Sequence, residues 1–187
     1  MVSNRMNRPV RLLFDRLSTP IGVAVIACDE NGNLRMFDWS DSEDRWQPML
    51  RARYGDVEMV FQSDPFGLVS AVAAYMDGDV HAIDALPVKF VGTEFQLKVW
   101  DALRTIPAGE TRSYGALASR IGKPKAVRAV GLANGANPIA VVVPCHRVIG
   151  SDGSLTGYGG GLERKRWLLA HEARHAGSSL FRSDVSV

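Results

Sequence analysis

The apolar positions of the first half of the chain repeat at two spacings, and each spacing predicts a different element. Residues 10–17 and 21–28 are short, mostly aliphatic runs of the kind that form strands. Asp29-Glu30-Asn31-Gly32-Asn33 has the composition of a hairpin turn and leads into a third strand over 34–38. Trp46, Leu50 and Tyr54 then recur every fourth residue, which predicts a helix with one apolar face. Pro48 fits such a helix only in its first turn. Leu68, Val72 and Tyr75 give a second helix after Pro65, and the change of composition over 77–87 marks a connection between two units.

The second half carries the helical spacing. Thr93 can cap a helix with Phe95, Val99 and Leu103 on one face, ended by Pro107-Ala108-Gly109. Ser113 can cap another through Leu117 and Ile121, and after the break at Gly122-Lys123-Pro124 a third runs from Ala126 to Asn134-Gly135. Two short helices joined by a Gly-containing turn form a helix-turn-helix in nucleic-acid-binding proteins, and also occur in plain bundles. The third helix is built from small residues, among them Ala126 and Ala129, so its backbone can approach a groove closely, and Arg128 is its one long cation. Ile139–Val143 predicts a short buried strand, and a last helix carries Leu162, Arg166, Trp167, Leu168, Leu169 and Glu172. The expected fold class is α+β: a small α/β unit with an antiparallel sheet over 1–91, a mostly helical unit over 92–175, and a disordered tail over 176–187.

Composition narrows the class. With 46% hydrophobic and 22% charged residues in 187, the chain can bury a real core. No stretch approaches the roughly 18 apolar residues of a membrane span, and the polar, basic start lacks the apolar core of a secretory signal. Two cysteines, Cys28 and Cys145, make neither a disulfide framework nor a cysteine-based zinc site, so a cytoplasmic protein is expected. The net charge of +2 hides an asymmetry: residues 1–91 hold 9 Lys/Arg and 13 Asp/Glu, whereas 92–175 hold 12 and 6. The second half either meets a polyanion or presents a solvated basic surface.

The candidate chemistry is Pro144-Cys145-His146-Arg147-Val148. A thiol beside an imidazole is the raw material of a cysteine nucleophile, although free Cys is also a common core filler. Neighbours on a strand point to opposite faces, so a link between Cys145 and His146 needs a turn or a bridging water. Glu172 falls beside the apolar stripe of the last helix, where it either finds a partner such as an imidazole or ends the helix as a partly exposed acid. Gly157-Tyr158-Gly159-Gly160-Gly161 lacks the Lys and Ser/Thr of a phosphate loop; it suits close backbone approach to a flat ligand, or a flexible surface loop. Cys28 reads as packing, His171 and His175 as surface residues, and His81 as part of the connection, with no metal-ligand set among them.

Together these residues resemble one family. Pro144-Cys145-His146-Arg147-Val148, with Asn137-Pro138, Arg128-Ala129-Val130-Gly131, Tyr114, Gly157-Tyr158 and Trp167-Leu168-Leu169-Ala170-His171-Glu172, is similar to the methylated-DNA–protein-cysteine methyltransferases. The likeness is close over 93–174 and looser over 10–90, where the family has a small, ribonuclease-H-like α/β domain without catalytic residues. It implies repair of O6-alkylguanine in double-stranded DNA, and of O4-alkylthymine, by irreversible transfer of the alkyl group to Cys145. It further implies a monomer without metal or organic cofactor. His146, oriented by Glu172, would take the thiol proton through water, with Asn137 bracing the turn and Tyr114 bonding N3 of the base. Carbonyls of Cys145 and Val148 would accept from the guanine amino group, and the Tyr158-Gly159 backbone would donate to O6. Arg128 would fill the gap left by the extruded nucleotide, with Ser113, Ala126 and Ala129 also at the DNA. The sulfur of Cys145 is thus expected to face a cavity sized for a purine. The rival readings are a non-catalytic alkylated-DNA binder of the same fold and a cysteine hydrolase using Cys145, His146 and Glu172.

Overall fold

The computed structural model describes residues 8–177. β1 (Val10–Thr19) and β2 (Gly22–Cys28) form an antiparallel hairpin, and β2 pairs antiparallel with β3 (Leu34–Trp39). The turn between β2 and β3 is built by Asp29: its Oδ1 accepts from the N–H groups of Asn31 and Asn33, each at 3.0 Å. α1 (Glu43–Tyr54) then crosses over the sheet and delivers β4 (Val57–Phe61) parallel to β1.

The sheet order is β3-β2-β1-β4. The expected antiparallel sheet is therefore mixed, because a helical crossover returns the chain in the same direction, as parallel pairing requires. The five-residue β4 was too short and too irregular in pattern to stand out in the sequence. Pro48 is the sixth residue of α1, beyond the first turn where it was expected. A proline there forgoes only the bond to the carbonyl of Asp44, an exposed residue whose carbonyl can face solvent.

Strand alternation divides the core. Val25 and Ala27 join Leu12, Met36, Trp46 and Leu50 beneath α1, while Ala24, Ile26 and Cys28 face the other way. On that second face lies α2 (Leu68–Met76), presenting Leu68, Val72 and Tyr75. The same apolar cluster continues without a break into α3 (Glu94–Leu103), which is closed by a capping box between Thr93 and Gln96. The connecting stretch adds Val80 and Ile83 to this cluster, so it is packed as well as connecting. Cys28 is fully buried, and burial pushes its thiol up to about 11, which fits a packing role.

β5 (Arg112–Ser113) leads directly into α4 (Tyr114–Arg120), capped by the Ser113 hydroxyl, and a turn over 121–126 leads into α5 (Val127–Gly135). β5 pairs in parallel with β6 (Val148–Ile149), so the start of α4 lies beside the residues that follow the Cys-His pair. α6 (Leu162–His175) closes the chain, burying Lys165, Leu168, His171 and Glu172. His171, expected at the surface, stacks on Trp167 and donates from Nε2 to the Tyr75 carbonyl at 2.7 Å. His175, also expected outside, is half-buried against Gly78. From residue 178 the expected tail lies outside the described residues.

Candidate active site

The apolar run Ile139–Val143 is a compact turn rather than a strand. Asn137 explains why: its Oδ1 accepts from the Ile139 N–H at 3.0 Å and its Nδ2 donates to the Val143 carbonyl at 2.8 Å. Those are the backbone groups a strand would have offered to a neighbour. Val141 consequently has φ +65°, a left-handed conformation that costs a β-branched residue about 1–3 kcal/mol. The edge strand β3 grips the turn from outside, through Phe37 N–H to the Pro138 carbonyl and Ala140 N–H to the Phe37 carbonyl. Strain of this kind, fixed from two sides, positions the residue that comes next.

That residue is Pro144, which leads into Cys145 and a single 3₁₀ turn over Cys145–Arg147. His146 and Arg147 follow on the same turn, and both reach Glu172 of α6. His146 Nε2 lies 2.9 Å from Glu172 Oε1, and both side chains are fully buried. Arg147 donates from Nη2 to Oε1 at 2.7 Å, from Nε to both carboxylate oxygens, and from Nη1 to the Ile106 carbonyl at 2.5 Å. The Tyr75 hydroxyl donates to Oε1 at 2.8 Å, and the Gly109 N–H to Oε2 at 3.2 Å. Glu172 is thus the hub of a buried polar network, and the alternative of a partly exposed helix-end acid is set aside.

The charge states follow from these surroundings. Burial alone would push Glu172 up, but His146 and the Arg147 guanidinium outweigh it and hold the carboxyl well below its ordinary range. Burial pulls His146 down against the pull of Glu172, so its imidazole favours the neutral form. Its other nitrogen, Nδ1, is buried without a hydrogen-bond partner among the described residues. Burial also raises the Cys145 thiol, opposed by a hydrogen bond from Asn137 and by the charges of Lys165 and Arg45. A neutral imidazole with one free nitrogen and a protonated thiol, on neighbouring residues of one turn, are the states from which a proton exchange would start.

The remaining candidate residues surround this centre. Tyr114 opens α4 and donates from its hydroxyl to the Thr156 carbonyl at 3.2 Å. Val148 is buried, and its carbonyl accepts from Lys165 Nζ at 2.6 Å. The Cys145 carbonyl accepts from the Val148 N–H and, at 3.4 Å, from Asn134 Nδ2. Tyr158 is half-buried beside the thiol, and Gly159 is exposed with the Arg45 guanidinium packed where its side chain would be. Arg128 and Ala129 lie on the exposed face of α5; Ala126, at its cap, and Ser113 are half-buried.

Cys145 is 6% exposed. The cavities of 390, 430, 500 and 350 Å³ lie elsewhere, none of them lined by Cys145. The purine-sized cavity expected at the sulfur is not among them; the thiol is buried, with Tyr158, Arg45 and Lys165 near enough to act on its charge.

Several residues of the site escaped the sequence reading. Lys165 sits three residues before Leu168 and seven before Glu172, so helical spacing placed it on the buried stripe. Its ammonium binds the carbonyls of Val148 and Thr156, tying the glycine-rich segment to β6. Arg147 stood inside the quoted motif without a role. Tyr75 gave no signal, since an apolar helix face accounts for a tyrosine fully.

Comparisons with known proteins identify the family. Residues 94–174 match the family model described as the 6-O-methylguanine DNA methyltransferase, DNA binding domain. Over 165 residues the chain is 48% identical to the methylated-DNA–protein-cysteine methyltransferase of Salmonella typhimurium, covering 87% of this chain and 96% of that protein. The chain belongs to the methylated-DNA–protein-cysteine methyltransferase family. The Mycolicibacterium paratuberculosis methyltransferase is 49% identical over 171 residues, covering 89% and 96% of the two chains. The crystal structure of Mycobacterium tuberculosis O6-methylguanine methyltransferase matches with a TM-score of 0.71 at 42% identity, covering 91% of this chain and 99% of that one. A structure of the M. tuberculosis protein in complex with DNA matches at 0.68 and 39%, covering 89% and 94%. In this methyltransferase the family match spans Tyr114, Arg128, Asn137, Cys145–Arg147, Lys165 and Glu172, whereas Asp38, Arg45 and Tyr75 lie outside it.

Proposed function

We propose that this protein repairs DNA by moving an alkyl group from O6 of guanine, and from O4 of thymine, onto Sγ of Cys145. The observation that carries the reading is the buried His146–Glu172 contact at 2.9 Å on the same turn as the thiol. His146 takes the thiol proton through a water at Nδ1, and the sulfur attacks the alkyl carbon in line. The S–C bond forms as the C–O6 bond breaks, leaving guanine with the electron pair. Asn137 holds the turn, and Tyr114 donates to N3 of the departing base. The Tyr158-Gly159 backbone donates to O6, and the carbonyls of Cys145 and Val148 accept from the exocyclic amine. Nothing returns the thioether to a thiol, so each molecule reacts once and needs neither metal nor organic cofactor.

The α4–turn–α5 pair acts as a helix-turn-helix on double-stranded DNA, with Ser113, Ala126 and Ala129 near the backbone. Arg128 fills the gap left by the extruded nucleotide, from the minor groove. Unstacking costs a few kcal/mol, least for a base that pairs badly, which favours lesions. The protein works as a cytoplasmic monomer. Mass spectrometry after incubation with an O6-methylguanine duplex tests the reading: one methyl group on Cys145, one equivalent, and none on Cys145→Ser. Unmodified Cys145 with DNA still bound would identify a non-catalytic binder, and continuing release of product would identify a hydrolase.

A further inference from the structure

Tyr75 comes from α2, outside the matched domain, yet its hydroxyl ends on the carboxylate that orients His146. The side chain is fully buried and could have been Phe if packing were its only task. Its hydroxyl shares one oxygen with two other donors. Glu172 Oε1 accepts from Tyr75 at 2.8 Å, from His146 Nε2 at 2.9 Å and from Arg147 Nη2 at 2.7 Å. Arg147 Nε and the Gly109 N–H hold Oε2. The carboxylate is therefore fixed in place by Arg147 without Tyr75. What Tyr75 adds is a competing donor on the very atom that attracts His146, and each donor on an oxygen weakens its pull on the others.

We infer that Tyr75 is a positioning residue that acts through Glu172 to set the proton affinity of His146, so that the sheet-bearing half of the protein takes part in the reaction. The inference rests on the proposed role of His146 as the base for Cys145. Among the described residues, the groups facing the network are Tyr75 from α2, His146 and Arg147 from the 3₁₀ turn, Glu172, Lys165 and His171 from α6, and Tyr158 from the glycine-rich segment. Of these, Arg147 and Lys165 oppose a proton on His146 and Glu172 favours it. With the Tyr75 hydroxyl gone, Oε1 pulls harder on His146, and a larger fraction of the site holds imidazolium and thiolate at neutral pH.

The test measures alkylation of Cys145 by iodoacetamide without DNA, read by peptide mass, at about pH 7 and about pH 10. At the higher pH the thiol ionises without help from His146. Tyr75→Phe is expected to raise the neutral-to-alkaline rate ratio by about threefold or more, the effect of half a pKa unit. Replacing Tyr75 by 3-fluorotyrosine or 2,3-difluorotyrosine keeps shape and hydroxyl but strengthens the donor, and should lower the ratio in that order. This graded series carries the test if the Phe variant folds poorly. At saturating methylated duplex, Tyr75→Phe should also speed transfer at about pH 7 with DNA affinity within about twofold. An unchanged ratio, a fall with Phe, or no ordering in the fluorotyrosine series would overturn the inference. If wild type fails to accept methyl groups, the proposed function falls, while the alkylation ratios still judge Tyr75.

Discussion

Replacing Arg147 by Leu takes away the cation that holds the buried carboxylate. The Arg147 side chain is 4% exposed and that of Glu172 is fully buried. The guanidinium makes three contacts shorter than 3.2 Å to the carboxylate and one to the Ile106 carbonyl. An exposed pair of this kind would be worth about 0–1 kcal/mol. A buried one behaves differently: removing a single partner strands a charge in the interior and costs about 3–5 kcal/mol. Against a total stability of about 5–15 kcal/mol that loss is large, and for a chain of this size it corresponds to roughly 6–20 °C in Tm.

Arg147→Leu and Glu172→Leu should each show a loss of this order in urea unfolding. The double variant removes both charges and should be less destabilised than the sum of the singles by about 2 kcal/mol or more. It will not reach wild type, because the Tyr75 hydroxyl, His146 Nε2–H and the Gly109 N–H lose their acceptor, at about 1–3 kcal/mol each where they stay unpaired. Single losses under about 1 kcal/mol, or a double variant that matches the sum within about 0.5 kcal/mol, would refute the reasoning.

Two further outcomes follow from the same geometry. His146 is held below its ordinary pKa by burial, so on acidification the unfolded chain binds a proton that the folded state refuses, and stability falls between about pH 7 and about pH 5. Glu172, also held low, adds a further loss in the carboxylate range, whereas Asp38, raised by burial, works in the opposite sense. Urea midpoints should show the upper slope in wild type and a flatter one in His146→Gln; equal slopes would mean His146 is not its source. Lys165→Met keeps the aliphatic stem but strips the ammonium from the Val148 and Thr156 carbonyls. Thermal unfolding should register a loss of about 1–3 kcal/mol, and amide hydrogen exchange should rise in the Thr156–Gly161 segment.

Local chemistry was legible where a side chain governs its own neighbourhood. Thr93, Ser113 and Asp29 build their caps and turn within a few residues, and the sequence displays all three. The apolar run before Cys145 was misread because Asn137, two residues upstream of Ile139, claims the backbone groups that define a strand. β4 and its parallel pairing depend on the path of α1, which no short pattern encodes. Motif residues of the second half could be found by likeness, since Cys145, His146 and Glu172 carry their chemistry in their names. Lys165 is readable from helical spacing, three residues before Leu168 and seven before Glu172, but a lysine at such a position ordinarily extends its ammonium to water. Tyr75 lies 97 residues from the carboxylate it serves, and its apolar helix face hides the one polar atom that matters.

The magnitudes show how the work is divided on the proposed function. An ordinary thiol is a few per cent ionised at neutral pH, so complete ionisation gains only about 30-fold, or about 2 kcal/mol. Burial pushes Cys145 the wrong way and holds His146 neutral at rest, so in the proposed reaction His146 would take the proton only as the sulfur attacks. The larger share of the acceleration therefore comes from aligning sulfur, carbon and O6 and from donors waiting for the departing base. One of those donors is engaged elsewhere in this structure: the Tyr114 hydroxyl rests on the Thr156 carbonyl, which Lys165 also holds. Tyr114 at 3.2 Å is the weaker and more exposed of the two ties, so on the proposed function Lys165 at 2.7 Å would keep the segment in place as Tyr114 turned to the base. A thiol that is 6% exposed and held protonated by burial meets other electrophiles slowly, which suits a protein that reacts once.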